Sequence, residues 1–254
     1  SKAAELAALI GSQTAQSNRN LIINGAMQVF QRATSATAAS NNFATVDRFK
    51  TFKSNDGAYT SERSTDNPTG SGTSVKLQVT TADTSISAAQ YAIFEQRIEA
   101  QNLQHLQYGT SSAKSLTASF WVKSNKTGQY SFSLGKNDST TYIYAKMFTI
   151  NSANTWEKKT ITVSPTAGST TLITNSGGAI VSDNGIGLIM GFSLALGSNF
   201  TGATDDSWST NTSHYATTDQ VNWMDSTDNN FYITQVQLEV GEVATPFEHL
   251  SFAD

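Results

Sequence analysis

The chain of 254 residues contains no cysteine. Disulfide bonds, thiolate metal sites and cysteine nucleophiles are therefore excluded together. Charged residues are also scarce, because Asp, Glu, Lys and Arg make up only 14% of the sequence. Ser, Thr, Asn and Gly are abundant in their place, a balance typical of β-rich extracellular or virion proteins rather than of helical cytoplasmic enzymes.

A basic cluster and a long apolar run are missing as well. The formal net charge is −4, so a surface that follows nucleic-acid phosphates is not expected. A membrane helix needs roughly 18 apolar residues, whereas Gly187, Gly191 and Ser193 interrupt the longest candidate, residues 186–196. We therefore expect neither nucleic-acid binding nor membrane insertion. The first residue, Ser1, is not Met and no signal segment follows it, which indicates a processed product or a piece of a longer protein.

Residues 1–18 are predicted to form a short helix and a linker. The segment is rich in alanine, and Leu6, Leu9 and Ile10 form one apolar stripe. Ala3, Leu6 and Ile10 also follow the three-four spacing of a coiled-coil seam. Because so short a helix is marginal in water, the stripe must pack either on its own domain or on copies of itself. The polar linker that follows favours packing of the stripe on other copies of the chain, most simply in a threefold bundle. The sequence therefore predicts a homotrimer.

Residues 19–254 are predicted to form one all-β domain. The clearest pattern lies within residues 115–134, where apolar residues such as Phe120 and Phe132 alternate with polar ones on either side of a Gly-containing polar loop. Two such runs joined by a short loop predict a β-hairpin with one buried face. Trp121, on the face opposite Phe120, indicates either a second layer of structure or a stacked ligand.

The same alternation predicts further strands along the chain. They span residues 20–31, 46–52, 75–79, 89–100, 142–150, 158–163, 185–197 and 231–240. The first of them is interrupted at Asn24-Gly25, which predicts a bulge or a tight turn there. The segment 185–197 alternates large apolar residues with small ones and is expected to be the most buried strand. Many short strands with Gly and Asn turns and almost no helix predict a jelly-roll β-sandwich.

Residues 198–230 form a long stretch without a clear period, and they are the candidate binding site. Loops this long are usually functional or disordered, and the aromatic content argues against disorder. A sugar ring packs its C–H face on an aromatic plane, while its hydroxyls need polar partners. The loop offers both kinds of group, and its candidate ligand contacts are Trp208, His214, Tyr215, Trp223, Asp205, Asp206 and Asn222. The alternative is that Trp208 and Trp223 close the end of the sandwich or fill a trimer interface.

Signals for catalysis are weak. Glu95 and Glu99 share one face of a predicted strand and several aspartates lie in the long loop, but no pair has a spacing that specifies glycoside hydrolysis. These carboxylates are interpreted as solvated strand-face and turn residues. There is no Gly-x-Ser-x-Gly elbow, and His105, His214 and His249 lack metal-ligand spacing. The sequence therefore predicts no enzyme, no cofactor and no metal site.

Several segments of the chain resemble a jelly-roll module found in bacteriophage tail fibres and related tail proteins. They are NLIINGAMQVFQR at residues 20–32, Asp47-Arg48-Phe49, residues 119–124, residues 154–156, QLEVG at residues 237–241 and ATPFE at residues 244–248. The resemblance implies a carbohydrate-binding-module-like β-sandwich near the end of a trimeric fibre. It further implies a virion location, contacts with other tail or virion proteins, and adsorption to a glycan on the host cell surface. The alternatives are a structural spacer or decoration module without ligand and, less favoured, a polysaccharide depolymerase.

The sequence departs from the wider class of carbohydrate-binding jelly rolls at one position. Members of that class often hold a structural calcium between an acidic residue after an N-terminal Asn-Gly and an Asp in the last strand. Here Ala26 and Met27 follow Gly25, and Thr234 and Gln235 stand in the last strand. Calcium prefers charged oxygen ligands, so the sequence predicts that this metal is not bound.

Overall fold

The computed structural model describes residues 19–38 and 42–249. The predicted helix, with Leu6, Leu9 and Ile10, lies outside the described residues, so the homotrimer stays a prediction. Within the described part of the chain the elements are β-strands and short 3-10 helices. The 3-10 helices are Ala100–Leu106, Ala167–Ser169, Ser176–Gly178, Ser198–Phe200 and Trp223–Asp225. No helix among these residues has the length and apolar character that crossing a membrane requires.

Two six-stranded antiparallel sheets form a jelly-roll β-sandwich, which confirms the predicted fold class. The first sheet has the order β1 (Ser35–Thr37), β3 (Ala58–Ser64), β4 (Ser74–Thr81), β12 (Asn230–Val240), β6 (Leu116–Ser124) and β9 (Glu157–Val163). The second has the order β11 (Ser207–Ser209), β8 (Tyr142–Ile150), β7 (Gly128–Lys136), β10 (Ile186–Leu196), β5 (Tyr91–Glu99) and β2 (Phe49–Ser54).

The predicted hairpin between β6 and β7 is wrong. β6 pairs with β12 and β9 in the first sheet, whereas β7 pairs with β10 and β8 in the second. The loop between them crosses the sandwich, and Phe120 and Phe132 meet from opposite sheets with ring centroids 6.3 Å apart. Alternation shows which side chains face the core but not which strand is the partner, so a hairpin and a crossing connection give the same pattern. Trp121 lies half-buried on the first sheet, opposite Thr234 and Lys158.

The core centres on aromatic rings contributed by both sheets. Phe192 of β10 lies 4.9 Å from Phe120 and 5.9 Å from Phe132 between ring centroids, and all three are fully buried. β10 is a central strand that pairs with β5 and β7. Its small residues point to the outer face of the second sheet, where they shape the site described below.

The strand predicted over residues 20–31 is also wrong. This segment forms turns beside β12, whose pairing with β6 shifts between Thr234 and Gln237. The Asn20 side chain accepts from Leu238 N at 3.0 Å and donates to Val236 O at 3.1 Å, so an amide side chain takes the place of strand pairing. A Cβ on Gly25 would lie 2.0 Å from Val236 O, so only glycine fits there.

The C-terminal segment closes over the same part of β12. Glu239 is 2% exposed and accepts from Thr245 N at 2.9 Å, from Thr245 Oγ1 at 2.7 Å and from Gln237 Nε2 at 2.8 Å. Glu248 accepts from Asn20 N at 3.0 Å, which joins the two ends of the domain. We call residues 20–25, 237–239 and 245–248 together the latch.

Candidate functional site

The outer face of the second sheet carries a cleft whose floor consists of small side chains. Strand register sets Gly191 of β10 beside Glu95 of β5 on one side and Ser133 of β7 on the other. Gly135 lies between Ile189 and Ile143 in the neighbouring row. The floor is therefore low, and the cavity above it has a volume of about 310 Å³. It is lined by Phe52, Ile93, Glu95, Arg97, Ser133, Gly135, Asn137, Thr141, Ile143, Ile189, Gly191, Thr212 and Tyr215.

One side of the cleft is an aromatic wall, defined by Phe52, Tyr91, Phe200 and Tyr215. Phe52 stacks on Tyr91 with ring centroids 4.7 Å apart, and Tyr91 meets the edge of Phe200 at 5.3 Å. Phe200 in turn contacts Tyr215 at 6.1 Å. All four rings are half-buried. Because the rings support one another, Phe52 and Tyr215 are held in place where they line the cavity.

An ion cluster lies at the floor beside this wall. Glu95 Oε1 is 3.1 Å from Lys50 Nζ and 3.1 Å from Arg97 Nε. The side chains of Lys50 and Glu95 are 1% and 7% exposed, whereas that of Arg97 is 36% exposed. Burial lowers the pKa of Lys50, although Glu95 acts in the opposite direction. The cluster thus fixes Glu95 and leaves the end of Arg97 accessible from the cleft. Glu95 is not the solvated strand-face residue that its sequence context predicts.

The long stretch 198–230 lies across the other end of this sheet face. Tyr215 N donates to Phe200 O at 3.0 Å, and Gln220 Nε2 donates to Ser193 O at 3.1 Å. Burial raises the pKa of Tyr215, and the charge of Glu95 raises it further. The phenol therefore stays neutral at neutral pH and can donate a hydrogen bond into the cleft.

The two tryptophans of that stretch fill the interior. Trp208 is 2% exposed, donates to Ser164 O at 2.9 Å and packs on Tyr144 at 5.6 Å between ring centroids. Trp223 is 0% exposed and meets the edge of Tyr59 at 5.4 Å. Neither ring offers a surface to a ligand, so the packing alternative describes both.

The remaining polar candidates make local contacts away from the cleft. Asp205 accepts from Lys146 Nζ and from Met147 N, each at 2.7 Å, and Asp206 accepts from Tyr144 Oη at 2.6 Å. Asn222 accepts from Met224 N at 2.9 Å and donates to Asp83 O at 2.8 Å. His214 Nε2 lies 2.9 Å from Asn211 Nδ2. Tyr215 is thus the predicted ligand contact that lines the cleft, while Phe52, Glu95 and Arg97 are lining residues that sequence reasoning missed.

The two glutamates of β5 are poorly placed for glycoside hydrolysis. Glu95 and Glu99 share the outer face of the strand, but each carboxylate is held in an ion pair, Glu95 with Lys50 and Arg97 and Glu99 with Arg48. Burial works to raise the pKa of Glu99, but the hydrogen bond from Arg48, a backbone hydrogen bond and the charge of Arg48 together lower it. Glu99 is therefore ionised at neutral pH and cannot act as a general acid.

The position of the calcium site known in the wider class does not fit a metal ion here. Thr73 Oγ1 donates to Met27 O at 2.6 Å, and Thr234 Oγ1 donates to Thr73 O at 2.7 Å. Hydroxyl donors thus already satisfy the carbonyl oxygens that a cation would need. Across residues 19–38 and 42–249, no group of three or more His, Cys, Asp or Glu side chains could hold a metal.

No protein-family model and no curated protein matches this sequence. Among solved structures, the enzymatically active domain of tailspike protein 4 from bacteriophage CBA120 is 13% identical, with a TM-score of 0.39 over 87% of this chain and 21% of that one. A Bacteroides thetaiotaomicron protein named as a candidate sugar-binding protein is 14% identical, with a TM-score of 0.47 over 87% of this chain and 100% of that one. The family 11 carbohydrate-binding module of Clostridium thermocellum is 11% identical, with a TM-score of 0.38 over 84% and 99%. This chain thus spans about a fifth of the tailspike chain and nearly all of the other two.

Proposed function

We propose that this chain is the receptor-binding domain of a bacteriophage tail fibre and that its cleft binds a glycan on the host cell surface. The observation that carries the proposal is the aromatic wall beside a polar floor in one cavity. A sugar presents an apolar C–H face and a rim of hydroxyls, and this cavity offers a surface for each.

In this proposal Phe52 and Tyr215 pack on the C–H face of the sugar ring. The hydroxyl of Tyr215 and the side chains of Asn137 and Thr141 lie on the lining, where they can exchange hydrogen bonds with sugar hydroxyls. The cavity volume of about 310 Å³ is at the lower end of the range for small-molecule sites, roughly 300 to 1,000 Å³. It therefore suits a short segment of a glycan chain rather than a large ligand.

The assignment to a tail fibre is supported by the sequence resemblance. Its most specific segments are those of the latch, so the resemblance concerns the framework of the domain rather than the cleft. A virion location, trimer formation through Leu6, Leu9 and Ile10, and contacts with other tail proteins belong to the same proposal. The domain is non-catalytic in this proposal, because the glutamates of β5 are held in ion pairs.

Binding of the recombinant chain to a glycan array and to whole bacterial cells tests the proposal. Phe52→Ala and Tyr215→Ala should each weaken binding by about 1 to 3 kcal/mol, as expected when a hot-spot ring is removed. Their melting temperatures should change little, because both rings are half-buried. Trp156→Ala is the matched control, since it removes a half-buried ring from the first sheet.

A structural virion module would give a different result. The parent chain would bind neither the array nor any cells, and it would not compete with phage for adsorption. Equal weakening by Trp156→Ala and Tyr215→Ala would also count against the cleft, because it would indicate a general effect of losing a surface ring.

A further inference from the structure

A second cavity adjoins the cleft at the end of β5. Its volume is about 540 Å³, and it is lined by Ile23, Asn24, Val29, Gln31, Arg32, Phe43, Asp47, Arg48, Arg97 and Glu99. Arg97 lines both cavities. Glu95, Arg97 and Glu99 are every second residue of β5 and share its outer face. The two cavities therefore follow one another along the strand.

Positive charge exceeds negative charge in this cavity. The lining contains three guanidinium groups and two carboxylates. The guanidinium groups are those of Arg32, Arg48 and Arg97, and the carboxylates are those of Asp47 and Glu99. Arg48 Nη2 lies 2.6 Å from Glu99 Oε1, and Arg32 Nη1 lies 3.6 Å from Asp47 Oδ1. The exposed fractions of the three arginine side chains are 60% for Arg32, 40% for Arg48 and 36% for Arg97. All three guanidinium groups are therefore within reach of a ligand in water.

Each arginine keeps unused donors. A guanidinium carries five N–H groups in a planar fork, and Arg97 uses its Nε for Glu95. The terminal nitrogens of Arg97 have no hydrogen-bond partner within residues 19–38 and 42–249, and the same holds for Nη1 of Arg48. Two forks on one cavity wall match the planar, bidentate geometry of a carboxylate.

The backbone around Asp47 and Arg48 is held in an uncommon conformation. Arg48 has φ +72°, in the left-handed region that residues with a Cβ rarely adopt. Asn24 Nδ2 donates to Asp47 O at 3.0 Å, and Asp47 N donates to Val29 O at 3.0 Å, which fixes this turn. Asp47 Oδ1 is buried and accepts no hydrogen bond from the described residues. Asp47 Oδ1 thus stays inside the protein beside Arg32, and the cavity presents guanidinium donors to a ligand.

We infer that this cavity is a subsite for a carboxylate-bearing sugar, such as a uronic acid, within the glycan that the neighbouring cleft binds. The inference rests on the proposed function. The sugar carboxylate accepts from Arg48 and Arg97, and Phe43 packs on the C–H face. A phosphate ion fits less well, because it has no apolar face for Phe43 and carries more negative charge than a carboxylate beside the two acids.

Calorimetric titration with uronic acid trisaccharides tests the inference. The probes are the trimers of galacturonic, glucuronic and mannuronic acid, each compared with its methyl ester, which keeps the ring and loses the charge. The parent chain should bind at least one acid about tenfold more tightly than its ester, the expected gain from one charge-assisted hydrogen bond. Raising the ionic strength should reduce this preference.

Arg97→Gln should weaken binding of the acid about tenfold more than binding of the ester. Arg48→Gln should act in the same direction, with a thermal melt to establish that it folds; if it does not fold, Arg97→Gln decides, because Arg97 lies on a strand and is accessible. Lys158→Gln is the matched control, since it removes one positive charge from an exposed position on the first sheet.

Three outcomes overturn the inference. They are equal affinity for acid and ester, failure of all three acids to bind at millimolar concentration, and an effect of Lys158→Gln as large as that of Arg97→Gln. The cleft is judged separately. If neutral glycans bind and Phe52→Ala weakens them while no acid is preferred, this inference fails and the proposed function stands.

Discussion

The latch and the cleft are built in opposite ways. In the latch, a buried carboxylate, Glu239, and amide side chains such as Asn20 and Gln237 are saturated by hydrogen bonds from nearby backbone and hydroxyl groups. In the cleft, half-buried rings and the accessible end of Arg97 face an open cavity. Saturated polar groups stabilise a fold, whereas unsaturated ones remain available to a ligand.

The two regions also differ in how their residues are distributed along the sequence. The latch draws on short segments, each of which carries a recognisable pattern. The cleft collects single residues from distant strands, such as Phe52, Glu95, Ser133 and Tyr215. Recognisable sequence segments therefore identify the framework of this domain. The binding surface has to be found from strand register.

The largest effect is expected from Glu239→Ala in the latch. The substitution leaves Thr245 N without its acceptor and removes the shorter hydrogen bonds of Thr245 Oγ1 and Gln237 Nε2, so the free energy of unfolding should fall by about 2 to 4 kcal/mol. Denaturant unfolding measures this loss. Glu242→Ala, the same change at an exposed position, should cost less than about 0.5 kcal/mol. A Glu239 variant that unfolds like the parent would show that the latch does not stabilise the domain.

An intermediate effect is expected from Gly191→Val in the cleft. A Cβ at this position lies 2.9 Å from Ser133 Oγ, so the added side chain both fills the floor and displaces a hydroxyl. Overpacking should cost about 1 to 3 kcal/mol of stability, while glycan binding should be lost. Gly72→Val is the control, because its nearest neighbour is 3.5 Å away in a surface loop. Unchanged binding by the Gly191 variant would place the ligand elsewhere.

The smallest effect concerns pH at the second cavity, next to the cleft. The pKa of Glu99 is lowered from its ordinary value of 4.5, so its ion pair with Arg48 contributes stability above pH 4.5 that is lost as the pH falls through the lowered value. Because the pair is exposed to solvent, the contribution should be below about 1 kcal/mol. Comparing the parent with Glu99→Gln between pH 6 and the acid limit of folding measures it. Identical pH profiles would show that the pair is not formed in solution.

Much of the fold could be predicted, because burial on one face leaves a period of two in the sequence. The pattern of β10, with Leu188 and Phe192 alternating with Gly191 and Ser193, predicted the buried strand, but not that Gly191 would form part of a cleft floor. Alternation does not specify strand partners, and for that reason the connection between β6 and β7 was assigned incorrectly. Around Asn24, side-chain hydrogen bonds and a left-handed φ of +60° replaced the predicted strand.

The candidate site was less predictable, since its chemistry depends on contacts between distant residues. Glu95 reads as a solvated residue until Lys50 is placed opposite it by the pairing of β2 with β5. In the long stretch, the local backbone conformation decides which aromatic side chains enter the core and which face the cleft. The stretch has no regular period, so the sequence does not predict this conformation. Tyr215 was therefore predicted together with Trp208 and Trp223, although only Tyr215 lines the cavity.

The hydrogen bond from Asn20 N to Glu248 Oε2, at 3.0 Å, has a mechanical consequence. It brings both ends of the domain to one point on the sandwich, so tension applied through the flanking chain is carried by the contacts of the last strand and its neighbours. The latch also reaches the other sheet, because Ile23 N donates to Gln96 Oε1 of β5 at 2.8 Å and Gln96 Nε2 donates to Ile23 O at 2.9 Å. A pull on the two ends is therefore expected to act on the strand that carries Glu95 and Arg97 as well as on the last strand.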